Sequence, residues 1–449
     1  MNYFSLLPEI IVICIATVML IAGTIRRERH LIFYLSLSAV LSGVLVLLLI
    51  NPVSGEGGHL IQTDPVVNLI RILIYGGGAF ILIFSFYELS EKTDRLAEFY
   101  FLLIMSLSGM SVLTMANDLL IIYLSIELFS LCFYILAAFY REDRRSIEAG
   151  MKYFVLGTLS SIVLVGSIAF FYAYTGSTSL ESLRGMNMDS KFTIFGSLLF
   201  LSAFAFKLSL VPFHAWSPDV YEGAPTSVTA LFASLPKLAV FILLGKIFSL
   251  AFKGIDLSLF IIIVSSLSMI LGNVLALRQK NLKRMLSYSS IAHSGYMFTA
   301  FLLPEQEIYT TLVPYLIFYL FMNLGAFAVI LSIEKGEKID SFHGLNNISP
   351  VLALSMAIVM LSFTGIPPTA GFIVKFNLFK NVFLAGYGGV VFLGIFMSIL
   401  SAYYYLRVVF YSYSSQIAEF SLRKELRVCA VFSAFLVLAG GVFPSIYLL

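Results

Sequence analysis

The chain has 449 residues, 59% of them hydrophobic and only 12% charged, with a mean hydropathy of +0.96 and a formal net charge of +3. A soluble domain carries roughly a quarter of its residues as charges, so this composition excludes a soluble enzyme and indicates an all-α polytopic membrane protein surrounded by lipid. The basic residues are spread over many loops, which excludes the one-sided footprint of a nucleic-acid binder. Cys14, Cys132 and Cys429 lie far apart in apolar runs without CxxC spacing, so packing roles are expected rather than metal ligation or disulfides. No Gly-x-Gly-x-x-Gly follows a strand and no Walker motif is present, so no cofactor or metal is expected in this chain.

The chain opens MNYFSLLPEIIV, without a basic leader and with Glu9 inside the apolar run, so the first segment reads as a retained span. At about 20 apolar residues per span, about fourteen spans are expected. The first six lie near 6–25, 31–50, 67–88, 97–115, 118–139 and 150–175. Span seven begins near 192, and spans eight to eleven lie near 226–251, 257–277, 284–303 and 309–333. Span twelve begins near 350, thirteen lies near 388–411, and fourteen ends the chain. Gly76-Gly77-Gly78 in span three points to close helix packing. RRERH, SEKTDR, REDRR, RQKNLKR, EKGEK and LRKELR occupy alternate loops, whereas the loops between them are nearly free of basic residues: NPVSGEGG, MAND, PEQE and AGYGG carry none, and the longest has only Arg184 and Lys191. Lys and Arg mark cytoplasmic loops, so both termini are expected on the outer face.

Two spans are broken. In Phe204 to Pro225, FAFKLSLVPFHAWSPDVYEGAP, an apolar helix carries Lys207 and then meets Pro212. In LSFTGIPPTAGFIVKFNLF the break is Pro367-Pro368, and Lys375 follows one or two turns later. Broken helices survive in lipid only where backbone is buried or lines a wet cavity, and they carry the ion sites of transporters. The broken spans lie five apart in the count, so spans four to eight and nine to thirteen are expected to be inverted five-helix repeats. The expected division is a three-helix segment over 1–96, repeats over 97–252 and 253–412, and a last helix over 413–449.

Ionisable groups inside spans are costly and mark function by default. Glu127, in LLIIYLSIELFSLCFYIL, lies roughly 13 Å into span five at the helical rise. It reads either as a protonated structural carboxyl or as an ion-pair partner for a buried lysine, with Lys207 the natural partner. Burial favours the neutral amine and a nearby carboxylate favours the ammonium, so their separation can set the proton on Lys207. Lys237 follows Pro236 deep in span eight and can receive that proton through water; the alternative is a snorkelling lysine. Lys375 is the expected last base before release outside. Lys152, near the start of span six, is either an interfacial anchor or a second partner for Glu127. His214 and His293 can relay protons or be satisfied structural histidines. Tyr221 and Glu222 are expected to shape the PDVYEGAP turn, and Asp118 to cap span five.

The stretches FKLSLVPFHAWSPDVYEGAP, SIEL, SLPK and GIPPTAGFIVKF resemble the antiporter-like subunits of respiratory complex I, the proton-translocating NADH:quinone oxidoreductase, and the resemblance extends over essentially the whole chain. PDVYEGAP is similar to the N-type branch, since the L and M types have a histidine-containing version of this turn. Lys375, where the M type has glutamate, points the same way, as does the absence of the L type's long lateral helix. The resemblance implies that Glu127, Lys207, Lys237 and Lys375 match the family's proton-translocating glutamate and lysines of spans five, seven, eight and twelve. Lys152 falls where the family often has a span-six lysine, and His293 receives no firm role. It also implies a hetero-oligomeric complex of the cell inner membrane, with K- and M-like neighbours. NADH, FMN, iron–sulfur clusters and quinone are then expected in partner subunits. The alternatives are a multi-subunit cation/proton antiporter, a related ferredoxin-, deazaflavin- or hydrogen-driven complex, or a subunit that only braces the membrane arm. Acidic oxygen ligands for Na⁺ are sparse inside the spans, which favours protons.

Overall fold

Lipid offers no hydrogen-bond partner to the backbone, and a chain this apolar meets that demand within its own helices. The computed structural model describes residues 3–49, 60–90, 93–185, 191–252, 255–415 and 422–446; the Gly-rich loop expected after span two lies largely outside them. Among the described residues the regular structure is helical, with isolated antiparallel bridges between loops. The helices are α1 (Leu7–Arg26), α2 (Arg29–Leu49), α3 (Pro65–Leu89), α4 (Leu96–Met115), α5 (Leu119–Ala137) and α6 (Arg144–Thr175). They continue as α7 (Lys191–Lys207), α8 (Trp216–Gly223), α9 (Thr226–Leu250), α10 (Ser258–Ala276), α11 (Leu282–Phe298) and α12 (Glu305–Ser332). The last are α13 (Leu345–Ile348), α14 (Pro350–Thr364), α15 (Ala370–Leu384), α16 (Gly388–Ser412) and α17 (Arg427–Val442).

Eleven are long and apolar enough to cross a membrane: α1 to α6, α9, α10, α12, α16, and α17 together with the 3-10 turn that leads into it from Lys424. The other three expected spans carry shorter helices, each for a local reason. α7 stops at Lys207, before a turn with Ser209 at φ +56° and a cis Val211–Pro212 bond. α14 stops at Gly365, whose φ of +88° closes a Schellman turn: its N–H bonds the Ser362 carbonyl and the Ile366 N–H bonds that of Leu361. Pro367-Pro368, with a cis bond, then separates α14 from α15. α11 ends at Phe298 and runs on as a 3-10 turn to Leu302.

The chain divides into two compact units. The first comprises Met1–Lys207, Gly223–Leu231 and Leu235–Asp256, and the second Leu208–Glu222, Phe232–Ser234 and Leu257–Leu449. In the first unit, helices adjacent in sequence pack against one another from α1 to α7, as short loops dictate. Arg71 of α3 and Glu9 of α1 form a buried ion pair at 2.7 Å, to which the Ser111 hydroxyl donates a further bond. In the second, α10 packs on α11 and α16, and α12 packs on α14 and α17. The Gly-Gly-Gly expectation holds at Gly78, where a Cβ would lie 2.3 Å from the Leu107 side chain, but not at Gly76, which has nothing within 4 Å. The three cysteines are free; Cys132 and Cys429 are buried, and Cys14 is exposed.

Candidate functional site

Asp118 caps α5 by accepting the Leu120 N–H at 2.8 Å, which sets the helical register that carries Glu127 inward. Ser130 lies three residues on, on the same face. Lys207, the last residue of α7 and buried, donates its ammonium to Ser130 Oγ at 2.8 Å. Glu127 accepts a bond from the Ser161 hydroxyl of α6 instead. The expected direct Glu127–Lys207 ion pair is therefore absent: the end of α7 delivers the ammonium one turn beyond the carboxylate. The Phe129 and Phe206 rings lie 5.9 and 5.8 Å from the ammonium. A half-buried carboxylate and its serine donor thus lie one turn along α5 from a buried amine and its serine acceptor, and serine hydroxyls can both donate and accept a proton.

Lys237 lies in the fully buried α9, directly after Pro236. Proline lacks an N–H, so the helix leaves the Phe232 carbonyl without its intrahelical donor. The Tyr221 hydroxyl of the PDVYEGAP stretch supplies that bond at 3.0 Å. At the start of α9, both oxygens of the buried Glu88 accept backbone N–H groups, from Thr226 and Ser227, at 2.8 Å each. Sequence reading missed Glu88, whose only signal was an acidic residue in the last turn of an apolar helix. In the second unit, Arg284 fastens α8 to α11 by bonds to Asp219 (2.7 Å) and Glu222 (2.9 Å), so Glu222 does shape this segment.

Lys375 lies in α15, beyond the break, and reaches back to the end of α14. Its Nζ donates to the carbonyls of Phe363 (2.7 Å) and Thr364 (3.2 Å) and to Ser398 Oγ (3.1 Å). Lys207 as the last residue of α7, and the Lys375 ammonium on the last carbonyls of α14, therefore both stand at a helix C-terminus, where the backbone dipole favours a cation. Lys207 gets there as the terminal residue, Lys375 by folding back. His293 is buried in α11, with Nδ1 3.0 Å from the Tyr315 hydroxyl and Nε2 3.4 Å from that of Tyr405. Lys152 forms an ion pair with Glu148, one turn earlier on α6, at 2.7 Å. His214 lies in the turn between α7 and α8, partly exposed. Among the described residues no three His, Cys, Asp or Glu side chains cluster as a metal site.

Residues 116–401 match the profile of the NADH:quinone oxidoreductase/Mrp antiporter transmembrane family. The chain belongs to this family. It is 49% identical to NADH-quinone oxidoreductase subunit N 2 of Thermodesulfovibrio yellowstonii, over 100% of this chain and 99% of that protein. A chain of respiratory complex I from Thermus thermophilus superposes with a TM-score of 0.87 at 30% identity, covering 98% of each chain. A chain of the Mrp complex from a Dietzia species gives a TM-score of 0.89 at 17% identity, over 100% of this chain and 96% of that one, a likeness of fold alone. The whole chain is thus an antiporter-like, all-helical membrane protein of the subunit N type.

Proposed function

We propose that this chain is a proton-translocating membrane subunit of a complex I-type NADH:quinone oxidoreductase, with redox catalysis confined to other subunits. The observation that carries this reading is full-length similarity to subunit N together with buried lysines at the ends of two half-helices. Protons enter from the cytoplasm by way of Glu127, Lys207 and Lys237, and leave on the outer side by way of Lys375. Lys152 serves at the uptake side and His293 as a station in the second unit. A charge change arriving from a neighbouring subunit alters how Glu127 acts on Lys207, and the lysine gains or loses its proton.

The topology that goes with this reading has fourteen spans, both termini on the outer face of the inner membrane, and inverted repeats over 97–252 and 253–412. A three-helix segment over 1–96 and a last helix over 413–449 flank them. K- and M-like subunits are the neighbours, and NADH, FMN, iron–sulfur clusters and quinone belong to partners. The likeness to the Mrp chain is one of fold and gives the antiporter alternative no separate support.

Replacing Lys207 by Met is the direct test. Assembled complex carrying Lys207→Met should pump at least about tenfold more slowly, by analogy with the loss of a positioned proton-transfer group. Normal pumping by that assembled complex would remove Lys207 from the path.

A further inference from the structure

The second unit contains a hydrogen-bonded chain centred on His293. It runs from Tyr315 of α12 to His293 of α11, then to Tyr405 of α16, and back to Ser289 of α11. All four side chains are buried. One link is long. Tyr405 shares a hydrogen bond with Ser289, while its hydroxyl stands 3.4 Å from His293 Nε2, beyond a well-formed bond. The Tyr405 ring stacks on Phe363, with centroids 5.4 Å apart and planes 7° from parallel. Phe363 also meets the His293 ring at 5.5 Å, and its carbonyl accepts the 2.7 Å bond from Lys375. One residue therefore touches the lysine through its backbone and the relay through its ring.

We propose that Tyr405 is the switch of a proton relay through His293, set by the charge on Lys375 acting through Phe363; the inference rests on the proton-translocating reading above. A charged Lys375 holds the Phe363 carbonyl by a charge-assisted bond, and a neutral amine holds it more weakly. Release lets the last turn of α14 relax at Gly365, and the stacked Tyr405 ring follows Phe363 until its hydroxyl reaches Nε2. In that arrangement Tyr405 gives its proton to Nε2 and takes one from the Ser289 side, where water resupplies it. Nδ1 gives its proton to the Tyr315 oxygen, and that hydroxyl passes its own to water beyond. Each tyrosine hydroxyl, and the imidazole taken as a whole, gains one proton and loses one, so no buried charge is left behind; the ring is left as its Nε2–H tautomer, and a turn of the ring or the reverse transfer resets it. Tyr405 and His293 exchange the proton; Phe363 is a positioning residue.

The test uses the intact respiratory complex in vesicles, with NADH oxidation and proton uptake followed in H₂O and in D₂O. Tyr405→Phe keeps the ring stack and removes the hydroxyl. It should assemble, slow proton transfer by about tenfold and change the solvent isotope effect. Phe363→Leu, which touches no transferred proton, should shift the isotope effect in the same direction. Lys237→Met serves as the reference for the pump reading. Normal pumping and an unchanged isotope effect in Tyr405→Phe, with Lys237→Met impaired, would overturn the relay and leave the pump reading standing. Normal pumping in Lys237→Met would count against the pump reading instead. A defect in Tyr405→Phe with normal behaviour in Phe363→Leu would overturn the control by Lys375. Should Phe363→Leu not assemble, Phe363→Met takes its place.

Discussion

Ser130 decides what Lys207 can do. A buried ammonium needs hydrogen-bond partners, and this hydroxyl provides one at 2.8 Å while keeping the amine a turn away from Glu127. Had the two charges met directly, each would have been held in its ionised form and the lysine would exchange its proton less readily. Ser130→Ala leaves the ammonium without that partner, a loss of about 1–3 kcal/mol, and Ser130→Thr should restore most of it. Thermal unfolding of the detergent-solubilised complex and its pumping rate should fall together in the first variant and recover together in the second. The lysine and the glutamate stand out in the sequence as charges within apolar runs. The serine does not, because serines are common in these helices and only the approach of α7 to α5 singles one out.

At the level of elements, the helix ends matter because their last carbonyls lack intrahelical donors and favour a cation; at the second break Lys375 bonds those of Phe363 and Thr364. The two breaks reach this result through different chain geometry, which is why the lysines sit on opposite sides of their prolines. The second junction is tightly packed: a Cβ on Gly371 would lie 1.9 Å from the Ser362 carbonyl oxygen, and the Gly371 N–H bonds Ser362 Oγ at 3.0 Å. Gly371→Ala should cost about 1–3 kcal/mol through overpacking and lower the amount of assembled complex on native gels. Gly389→Ala, where nothing lies within 4 Å, should leave assembly unchanged. Proline and glycine made both breaks legible in sequence, whereas the pairing of the Tyr221 hydroxyl with the carbonyl that Pro236 frees was not. A hydroxyl donor fifteen residues upstream of a proline has no sequence signature.

For the whole molecule, each unit holds one of the two half-helix lysines, Lys207 in the first and Lys375 in the second. Purification of the chain from native membranes in mild detergent should bring down iron–sulfur and quinone-site subunits with it. Recovery of other membrane subunits alone, without redox centres, would favour the antiporter alternative. Eleven of the expected spans were legible from apolar run length as long apolar helices. The shortfall of three long helices came where polar residues or breaks interrupt a run: at Lys207, in the serine- and tyrosine-rich α11, and at Pro367-Pro368.

Sequence alone determined the membrane class, the ends of α7 and α14 near their prolines, and the presence of Glu127, Lys207, Lys237 and Lys375 as charges within apolar runs. These follow from local physics: hydropathy, the missing N–H of proline, and the cost of a charge in lipid. Tertiary structure alone decided the partners. Ser130 rather than Glu127 receives Lys207, Glu88 caps α9, and Phe363 joins Lys375 to Tyr405. These contacts join residues far apart in the chain, and their geometry depends on how whole helices rotate and slide against one another.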